Sequence, residues 1–462
     1  MIRPIAAPSP AMPPAATAPD ANPYDPSVVA ARLEAGRRAE TTAGDPDTDI
    51  VAKTPPTYFR TYEQLKRAMF DLQQRFPDLV EVRDLGDTSE KVAGAADRDV
   101  LALVLRNKSV TGALPSTMHV GGIHAREIAN PELLMTFAQG LLDGYGRDAD
   151  ATMLLNSRET VLVPMLNADG HAMVERGYTG EKNGELLHRK STAYGDGVDL
   201  NRNFEFHWGG PGASSFPRSE TYRGPSAGSE PETQAVERFV HEHKPNLFID
   251  WHSYSRLNMF PWGDTKEHTP DHAGFEALAK KFTTYNGYSP IQSIQLYPTT
   301  GTTDDHAYGA DGVPSMAIET GSSFLQSDEE FARTLRENLP VLTYATKVAD
   351  APLTRVFGPD TAGVAVDTAT HAVSATISDA NNGGQVLAGA ELVLDPLAAP
   401  GTGVALTAAD GVFDGVQEQV VGTTAAASAD AAAGAMVYVR GRDSAGNWGP
   451  LTAQWIAGHG TR

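Results

Sequence analysis

The chain has 462 residues, of which 41% are hydrophobic, and a formal net charge of −21. Its length predicts two or three domains, since domains typically run to about 100–200 residues, and its acidity argues against a nucleic-acid partner because phosphates would be repelled. No apolar run reaches the roughly 18 residues of a membrane span, and without cysteine neither a disulfide nor a Cys-ligated metal is available.

Residues 1–56 are rich in Ala and Pro and poor in aromatics, which is the composition of a poorly ordered leader. Proline interrupts the apolar stretches of residues 1–23, so no complete signal peptide is visible. Because of the domain plan that follows, we nevertheless expect a secreted, extracellular protein.

Residues 57–350 predict an α/β domain. A helix begins after Thr61, which can cap it and form a capping box with Gln64. Short apolar runs then alternate with helical periodicity, a pattern typical of a largely parallel, buried sheet. The predicted strands are Val100–Leu105, Thr117–Gly121, Thr160–Leu166, Leu247–Trp251 and Ser315–Ile318. The predicted helices are Pro131–Leu142, Glu230–Glu242 and Asp328–Val348, capped by Asn130, Ser229 and Ser327.

Residues 353–462 differ in composition from the domain before them. Ala, Val, Gly, Thr and Asp dominate, and helical periodicity is lost. Val437–Arg442 is typical of a strand, and it leads into a Gly/Asn turn at residues 443–447. We therefore predict a small β-sandwich, which resembles the immunoglobulin-like modules appended to many bacterial secreted enzymes.

Two predicted strands are followed by side chains that could hold a metal ion. His124 and Glu127 follow one strand at a three-residue spacing, and His252 follows Leu247–Trp251. Alone, each is ambiguous, because His-x-x-Glu often arises by chance and a single histidine is commonly a core residue. Ligands cluster at the carboxyl edge of open α/β sheets. Together the three residues form the protein ligand set of a catalytic zinc, with a fourth position left for water.

With these ligands in place, the chain resembles the zinc carboxypeptidase family, that of the pancreatic carboxypeptidases A and B and their bacterial relatives, over residues 57–350. The resemblance rests on six motifs in the family's order: the His124/Glu127 pair, 164–170 (PMLNADG), 197–204 (GVDLNRNF), 252–254 (HSY), Tyr297 and Glu319. It implies a mixed eight-stranded sheet flanked by helices, one zinc per chain held by His124, Glu127 and His252, and removal of single residues from peptide C-termini.

The chain departs from the pancreatic relatives in two ways. Their disulfide is absent, and the segment before residue 57 is too short to be their globular pro-domain. The sequence therefore gives no support for inhibition by a folded pro-region.

The resemblance also implies the roles of further residues. Glu319 would be the general base and acid for water and the leaving amine, and Arg189 would polarise the scissile carbonyl. The simpler alternatives are that Glu319 is an exposed carboxylate at the end of a strand and that Arg189 belongs to a solvated basic run.

Other positions match residues that bind the substrate in the family. Asn201 and Arg202 would hold the substrate's terminal carboxylate, Arg202 through a bidentate fork that lysine cannot form. Tyr297 would close over the terminal residue, Arg126 would bind the peptide, and Asp199 would orient His124.

Specificity depends on the position seven residues past Tyr297. In the family, A-type enzymes have an apolar residue there, at the base of the pocket, and B-type enzymes have Asp; here it is Asp304. A buried carboxylate requires a cationic partner, so we expect a preference for C-terminal Lys or Arg. Alternatively, Asp304 turns away or caps a loop while Asp305 has a structural role. Gln292 and Thr302 lie near the pocket, so the sequence does not determine the size of the pocket.

We therefore expect a monomeric metallocarboxypeptidase that acts on peptide or protein C-termini. One alternative keeps the fold and the metal but cleaves peptidoglycan peptides beside diaminopimelate, whose ammonium could also meet Asp304. A second alternative is a catalytically dead binding protein that attaches to a surface through its C-terminal module. The intact Glu319 and the full ligand set argue against the second.

Overall fold

The fold is that of a computed structural model, which describes residues 22, 25–41, 54–182, 184–424 and 435–456. A mixed eight-stranded sheet forms the centre of the first part, in the order β1-β2-β4-β3-β5-β8-β6-β7. Its strands are Val80–Asp87 (β1), Asp99–Leu105 (β2), Ser116–Gly121 (β3), Glu159–Val163 (β4), Leu247–Ser253 (β5), Leu257–Phe260 (β6), Ser289–Gln292 (β7) and Ser315–Thr320 (β8). The predicted fold class is confirmed.

Parallel pairing is confined to two places in this sheet. The central strands β4, β3, β5 and β8 are parallel, as are β6 and β7, whereas β1, β2 and β6 pair antiparallel with β2, β4 and β8 respectively. Side chains of β2 alternate between two apolar clusters, Leu103 and Leu105 on one face and Ala102 and Val104 on the other. The sheet is thus covered on both faces, which explains why its central strands are continuous apolar runs.

Helices cover the two faces and connect the strands. They are Pro26–Thr41 (α1), Tyr62–Arg75 (α2), Ser89–Val92 (α3), Ala129–Gly144 (α4), Ala149–Ser157 (α5), Ala168–Thr179 (α6), Pro231–His243 (α7), His272–Asn286 (α8), Thr303–Asp311 (α9), Asp328–Lys347 (α10) and Pro352–Arg355 (α11). Among the described residues, no helix has the length and apolar character needed to cross a membrane.

Two of the four predicted helix caps are confirmed and two are wrong. The Thr61 capping box is present, and the side chain of Ser327 accepts a hydrogen bond from the Glu330 amide. Asn130 instead lies inside α4, where its side chain bonds Thr320 Oγ1 at 2.9 Å. The cap of α7 is Glu230 rather than Ser229. The sequence pattern assigned the Asn130 side chain to a helix cap, but in the structure it bonds Thr320, which is distant in the chain.

Helix α1 lies within the leader that the sequence predicts to be poorly ordered. Arg32 Nη1 donates to Gly287 O at 2.8 Å and to Ser289 Oγ at 2.9 Å. Val29 and Leu33 pack on an apolar cluster of the sheet. The helix was not predicted because these stabilising contacts are tertiary and leave no periodic signal of their own.

The C-terminal part forms a seven-stranded antiparallel sheet, in the order β15-β14-β11-β12-β13-β10-β9. Its strands are Asp360–Val366 (β9), Ala372–Ser378 (β10), Leu387–Val393 (β11), Val404–Ala408 (β12), Gln417–Thr423 (β13), Met436–Asp443 (β14) and Thr452–Trp455 (β15). The two halves of the sheet face each other around one apolar cluster, with Ile377 of β10 lying against Gly441 of β14. The prediction of a small β domain is confirmed.

The β domain packs on the α/β domain through both apolar and polar contacts. Met436 and Tyr438 join the apolar cluster that also contains the helices of the α/β domain. Lys347 Nζ lies 2.6 Å from Asp150 Oδ2, while Asp150 Oδ1 accepts a hydrogen bond from the Ala453 amide at 2.9 Å. The domain boundary near residue 352 stays a prediction.

Candidate metal centre and cleft

The three predicted ligands meet at the carboxyl edge of the central parallel strands. Gly122, with a φ of +62°, turns the chain directly after β3 and so brings His124 and Glu127 back over the edge. His252 is near the end of the neighbouring strand β5. All three side chains are buried, and their ligand atoms lie within 4.8 Å of one another.

The same ring nitrogen of each histidine points into this centre. His124 Nδ1 lies 2.7 Å from Glu127 Oε1, and His252 Nδ1 lies 3.3 Å from Glu127 Oε2. The two Nδ1 atoms are 3.2 Å apart. A buried arrangement of two nitrogens and a carboxylate at this separation surrounds a space suited to one small cation.

Carboxylates on the outer side fix the orientation of both rings. His124 Nε2 lies 3.3 Å from Asp199 Oδ1, and His252 Nε2 lies 2.9 Å from Asp250 Oδ2. A carboxylate only accepts, so with a cation held at the two Nδ1 atoms each ring would keep its proton on Nε2 and direct the lone pair of Nδ1 inward. Two lone pairs and an anionic carboxylate that face one another are stabilised by a cation, and the donor set fits zinc.

The electrostatics of the centre agree with this fit. Burial opposes ionisation of Glu127, but the two neighbouring imidazoles outweigh it and hold the pKa of Glu127 below its ordinary value. Burial likewise opposes protonation of His252, but Asp250 and Glu127 raise the pKa of His252 well above its ordinary value. The carboxylates that favour a proton here equally favour a divalent cation.

Glu319 lies beside this centre on the adjacent strand. In the parallel register of β5 and β8, Glu319 is the partner of His252. Paired residues of neighbouring strands project to the same face of a sheet, so the carboxylate lies on the side of the sheet that carries His252. Its exposed fraction is 8%. Glu319 therefore lies on the strand next to His252 and projects to the same face of the sheet.

Arg189 lies behind the ligands, against the carboxylate that orients His124. Its Nε and Nη2 atoms donate to Asp199 Oδ2 at 3.2 and 2.9 Å. Burial opposes ionisation of Asp199, but Arg189 and Arg202 outweigh it and hold the pKa of Asp199 below its ordinary value. Arg189 thus stabilises the carboxylate that orients His124.

Asn201 and Arg202 form a short 3-10 turn, Leu200–Arg202, next to His252. Asn201 Nδ2 is 3.2 Å from His252 Nε2, and Asn201 Oδ1 accepts a hydrogen bond from the Thr303 amide at 2.9 Å. Arg202 is almost fully buried, and its Nη1 atom donates to Asn201 O at 2.7 Å. Asn201 thus contacts a ligand of the metal centre, and Arg202 is buried directly beside Asn201.

Asp304 lies in the first turn of α9, next to this group. Its exposed fraction is 5%, and Oδ2 lies 3.4 Å from Ser293 Oγ. Burial raises the pKa of Asp304, as does the charge of Asp250. The charges that act most on its pKa are those of Asp250 and His252, and no Lys or Arg of the described residues is among them. The neighbouring Asp305 accepts from the Gly263 amide with both oxygens.

The amide of Gln292, which the sequence places near the pocket, binds the backbone of a loop. Its Nε2 atom contacts three carbonyl oxygens of the loop before α8, those of Trp262, Thr265 and Glu267, at 2.9–3.3 Å. Thr302 is the residue that immediately precedes α9.

Arg126 and Tyr297 are the two remaining residues that the sequence assigns to substrate binding. The Arg126 guanidinium stacks on the ring of Phe324, with Cζ 4.0 Å from the centroid, and is almost fully buried. Tyr297 is half-buried and packs beside Leu296.

The sequence analysis missed Asp250. It lies two residues before His252 on β5, and alternate residues of a strand project to the same face. That periodicity was the signal that could have identified Asp250 as the partner of a ligand histidine.

Comparison with known proteins gives a consistent result. Residues 65–341 match the family model described as zinc carboxypeptidase. The chain is 32% identical to zinc carboxypeptidase A 1 from Anopheles gambiae over 55% of this chain and 58% of that protein. It is 30% identical to carboxypeptidase A2 from Mus musculus over 64% of this chain and 71% of that protein.

A solved structure is also similar. The crystal structure of thrombin activatable fibrinolysis inhibitor matches with a TM-score of 0.57 and 26% identity, over 69% of this chain and 80% of that one. The matched length, about three fifths of the first relative and seven tenths of the second, leaves part of each without a counterpart here.

Proposed function

This chain belongs to the zinc carboxypeptidase family, and on that premise we propose that it removes single residues from the C-termini of peptides, with a preference for Lys and Arg. The observation that carries the proposal is the buried His124/Glu127/His252 centre with Glu319 on the adjacent strand. Zinc, when bound there, supplies Lewis-acid polarisation of the attacking water and the scissile carbonyl.

The residues of the chain have distinct parts in this proposal. Glu319 accepts a proton from the attacking water and later delivers it to the leaving amine. Asp199 and Asp250 hold the two ligand histidines in the tautomer that leaves Nδ1 available. Arg189 keeps Asp199 ionised, and its cationic charge near the centre stabilises negative charge that develops on the carbonyl oxygen.

Recognition of a free C-terminus is assigned to Asn201 and Arg202. Asn201 Nδ2 lies 3.2 Å from His252 Nε2, and the neighbouring Arg202 carries its charge in a site from which water is largely excluded. A guanidinium there favours a carboxylate strongly. We propose that Tyr297 covers the terminal residue and that Arg126 binds the peptide backbone upstream.

The preference for basic residues is supported by the environment of Asp304. The carboxylate is buried, contacts a hydroxyl, and lies next to a second carboxylate, Asp250. Both oxygens of Asp305 accept from the Gly263 amide, which is the structural role that the alternative gave to Asp305. A substrate ammonium or guanidinium in this pocket would satisfy a buried acid that the described residues do not pair with a cation.

The function is tested with one peptide in two forms, ending in a free carboxylate or in an amide. We expect cleavage of the free form only, complete loss of activity with a zinc chelator, and recovery when zinc is returned. Equal cleavage of the amidated peptide would contradict an exopeptidase that anchors the terminal carboxylate. A muropeptide that ends in diaminopimelate, assayed in parallel, separates the peptidoglycan alternative. We also propose that the protein acts outside the cell as a monomer.

A further inference from the structure

A cavity of about 130 Å³ lies between the α/β domain and the β domain. This interdomain cavity is lined by Arg158, Asp350, Arg355, Arg440 and the segments 396–400 and 449–451. Arg158 and Asp350 come from the α/β domain, whereas Arg440 lies on strand β14 of the β domain. Arg355 ends helix α11, which connects the two domains. The metal centre uses other residues, so the cavity is a separate feature of the molecule.

Positive charge is concentrated in the lining of this cavity. Arg158 and Arg440 are buried, with exposed fractions of 6% and 3%, and Arg355 is half-buried. Arginine stays protonated at any physiological pH, so the lining carries three positive charges and the single negative charge of Asp350. The chain as a whole has a net charge of −21, so this cluster runs against its overall composition.

The carboxylates of this region are already shared among the arginines. Asp350 Oδ1 accepts from Arg158 Nη2 at 3.3 Å, and Asp350 Oδ2 accepts from Arg355 Nη2 at 2.7 Å. Arg440 Nε donates to Glu391 Oε1 at 2.6 Å. Among the described residues, two carboxylates thus pair with three guanidinium groups, which leaves one positive charge in excess.

Arg158 has a donor that no other group satisfies. Its Nη1 and Nη2 atoms donate to backbone carbonyls at 2.9 and 3.2 Å, but its Nε atom is buried and has no hydrogen-bond partner among the described residues. Burial lowers the pKa of Arg158, Asp350 raises it, and the charges of Arg355 and Arg440 lower it further. A bound anion would supply both the missing acceptor and the missing negative charge.

The size and the walls of the cavity indicate what kind of anion fits. One water takes about 30 Å³ of the liquid, so about 130 Å³ has room for an ion with four oxygens. Pro396, Pro400 and Pro450 form part of the wall, and proline offers no N–H group. The guanidinium groups, in contrast, are forked donors that match pairs of oxygens on phosphate or a similar ion.

We propose that the interdomain cavity binds one small oxyanion, phosphate or sulfate, through Arg158, Arg355 and Arg440. The bound ion contacts residues of both domains and therefore stabilises their docked arrangement. A ligand that binds only the folded state increases stability in proportion to the logarithm of its saturation, so the stability of this chain depends on the concentration of oxyanion. The site is independent of peptide cleavage and of the metal centre.

The test is isothermal titration calorimetry of the full, zinc-loaded chain with inorganic phosphate at constant ionic strength. Sulfate and chloride are titrated in parallel, because they separate recognition of an oxyanion from a general effect of salt. We expect one phosphate or one sulfate to bind per chain with a saturable heat, and chloride to bind at least tenfold more weakly. Absence of saturable binding of both oxyanions overturns the proposal.

A pair of arginine variants locates the bound ion. Arg158→Met removes one guanidinium while Asp350 keeps its pair with Arg355, and it should weaken phosphate binding about tenfold or more, because charge-assisted hydrogen bonds are the strong ones. Arg106→Met removes the same charge where Arg106 pairs with Glu159 at 3.1 Å, and it should leave the affinity within twofold of the wild type. Equal affinity in Arg158→Met and the wild type would place the ion elsewhere, for example at the metal centre, and overturns the proposal.

A second pair keeps all three arginines. Leu397 and Leu394 are similarly exposed, at 48% and 46%, but of the two only Leu397 lines the cavity. Leu397→Glu brings a tethered carboxylate to the arginines and should weaken phosphate binding about tenfold or more, since the two anions compete for the same donors. Leu394→Glu should leave the affinity within twofold of the wild type. Phosphate binding that is equal in the two variants also contradicts the proposal.

Thermal unfolding measures the stabilisation by the ion. Saturating phosphate should raise the midpoint of the wild type about 2–4 °C more than that of Arg158→Met. Phosphate also stabilises proteins generally because it is excluded from their surfaces, and the difference between the two proteins removes that effect. An equal rise in both would mean that the ion does not stabilise the chain from this cavity and overturns the proposal. Neither calorimetry nor unfolding involves cleavage, so both results are independent of the proposed function.

Discussion

Replacing Asp304 with Asn tests the assignment of the specificity pocket. Asn keeps the size of the side chain and its contact with Ser293 Oγ, which lies 3.4 Å from the carboxylate, but it removes the negative charge. A substrate Lys would then lose the opposite charge of its partner and keep only the hydrogen bond from its ammonium to the Asn oxygen, in a site that is 5% exposed.

The expected magnitude follows from the burial of this side chain. Charging one partner of a hydrogen bond raises its contribution from about 0.5–1.5 to about 1.5–3 kcal/mol, and we expect the charge of the acceptor to contribute a similar increment, so the loss for a Lys substrate is about 1–2 kcal/mol. At about 1.4 kcal/mol for each factor of ten, kcat/KM for C-terminal Lys should fall roughly fivefold to thirtyfold. For C-terminal Leu it should stay the same or rise, because the variant no longer buries an unpaired carboxylate beside an apolar side chain.

The assay is kcat/KM for capped dipeptides that differ only in a terminal Lys or Leu, measured as a ratio across pH. Burial raises the pKa of Asp304, so the carboxyl becomes neutral as pH falls through that raised value. The Lys-to-Leu ratio of the wild type should therefore decrease toward acid pH, and the ratio of Asp304→Asn should lack this dependence.

Asp311→Asn, the same change at the far end of α9, where Asp311 pairs with Lys244, is the control. If Asp304→Asn leaves the Lys-to-Leu ratio within twofold of the wild type while Asp311→Asn is also neutral, Asp304 does not contact the terminal side chain.

Three further predictions concern the metal centre and the stability of the fold. Glu319→Gln should lower kcat by about 10²–10⁴, the usual contribution of general acid–base catalysis, with zinc still bound by metal analysis; a loss of zinc instead would place Glu319 in the ligand set. Asp250→Asn should weaken zinc binding about 10–100-fold in a chelator competition, since partners of ligand histidines contribute that much; an affinity within threefold of wild type would argue against an orienting role. Ser327→Ala should lower the free energy of unfolding by about 1 kcal/mol in urea denaturation, because the α10 cap is lost; an unchanged midpoint would mean that another group replaces it.

The sequence by itself determined the metal ligands and the fold class. His124, Glu127 and His252 each follow an apolar strand, and the position of a residue relative to its own strand is local information. In a parallel sheet, strand ends meet at one edge, so the ligands come together without any knowledge of long-range contacts. The same holds for the Thr61 and Ser327 caps, whose partners are three residues away.

Only the tertiary structure decided which partners the polar side chains find. Asn130 is of a residue type that often caps helices, but its side chain accepts a hydrogen bond from Thr320, 190 positions later. The amide of Gln292 binds the backbone of a loop about 30 residues earlier in the chain. Asp250 became a partner of His252 only once both side chains were seen on one face of β5.

Helix α1 is the clearest case of this distinction. Its composition predicts a poorly ordered leader, because Ala, Pro and a few apolar residues give no amphipathic stripe that could be stable alone. Its contacts are with residues more than 220 positions away, such as Gly287 and Leu296. Short helices are stabilised mainly by tertiary packing, and the surface that provides it here exists only after the α/β domain has folded.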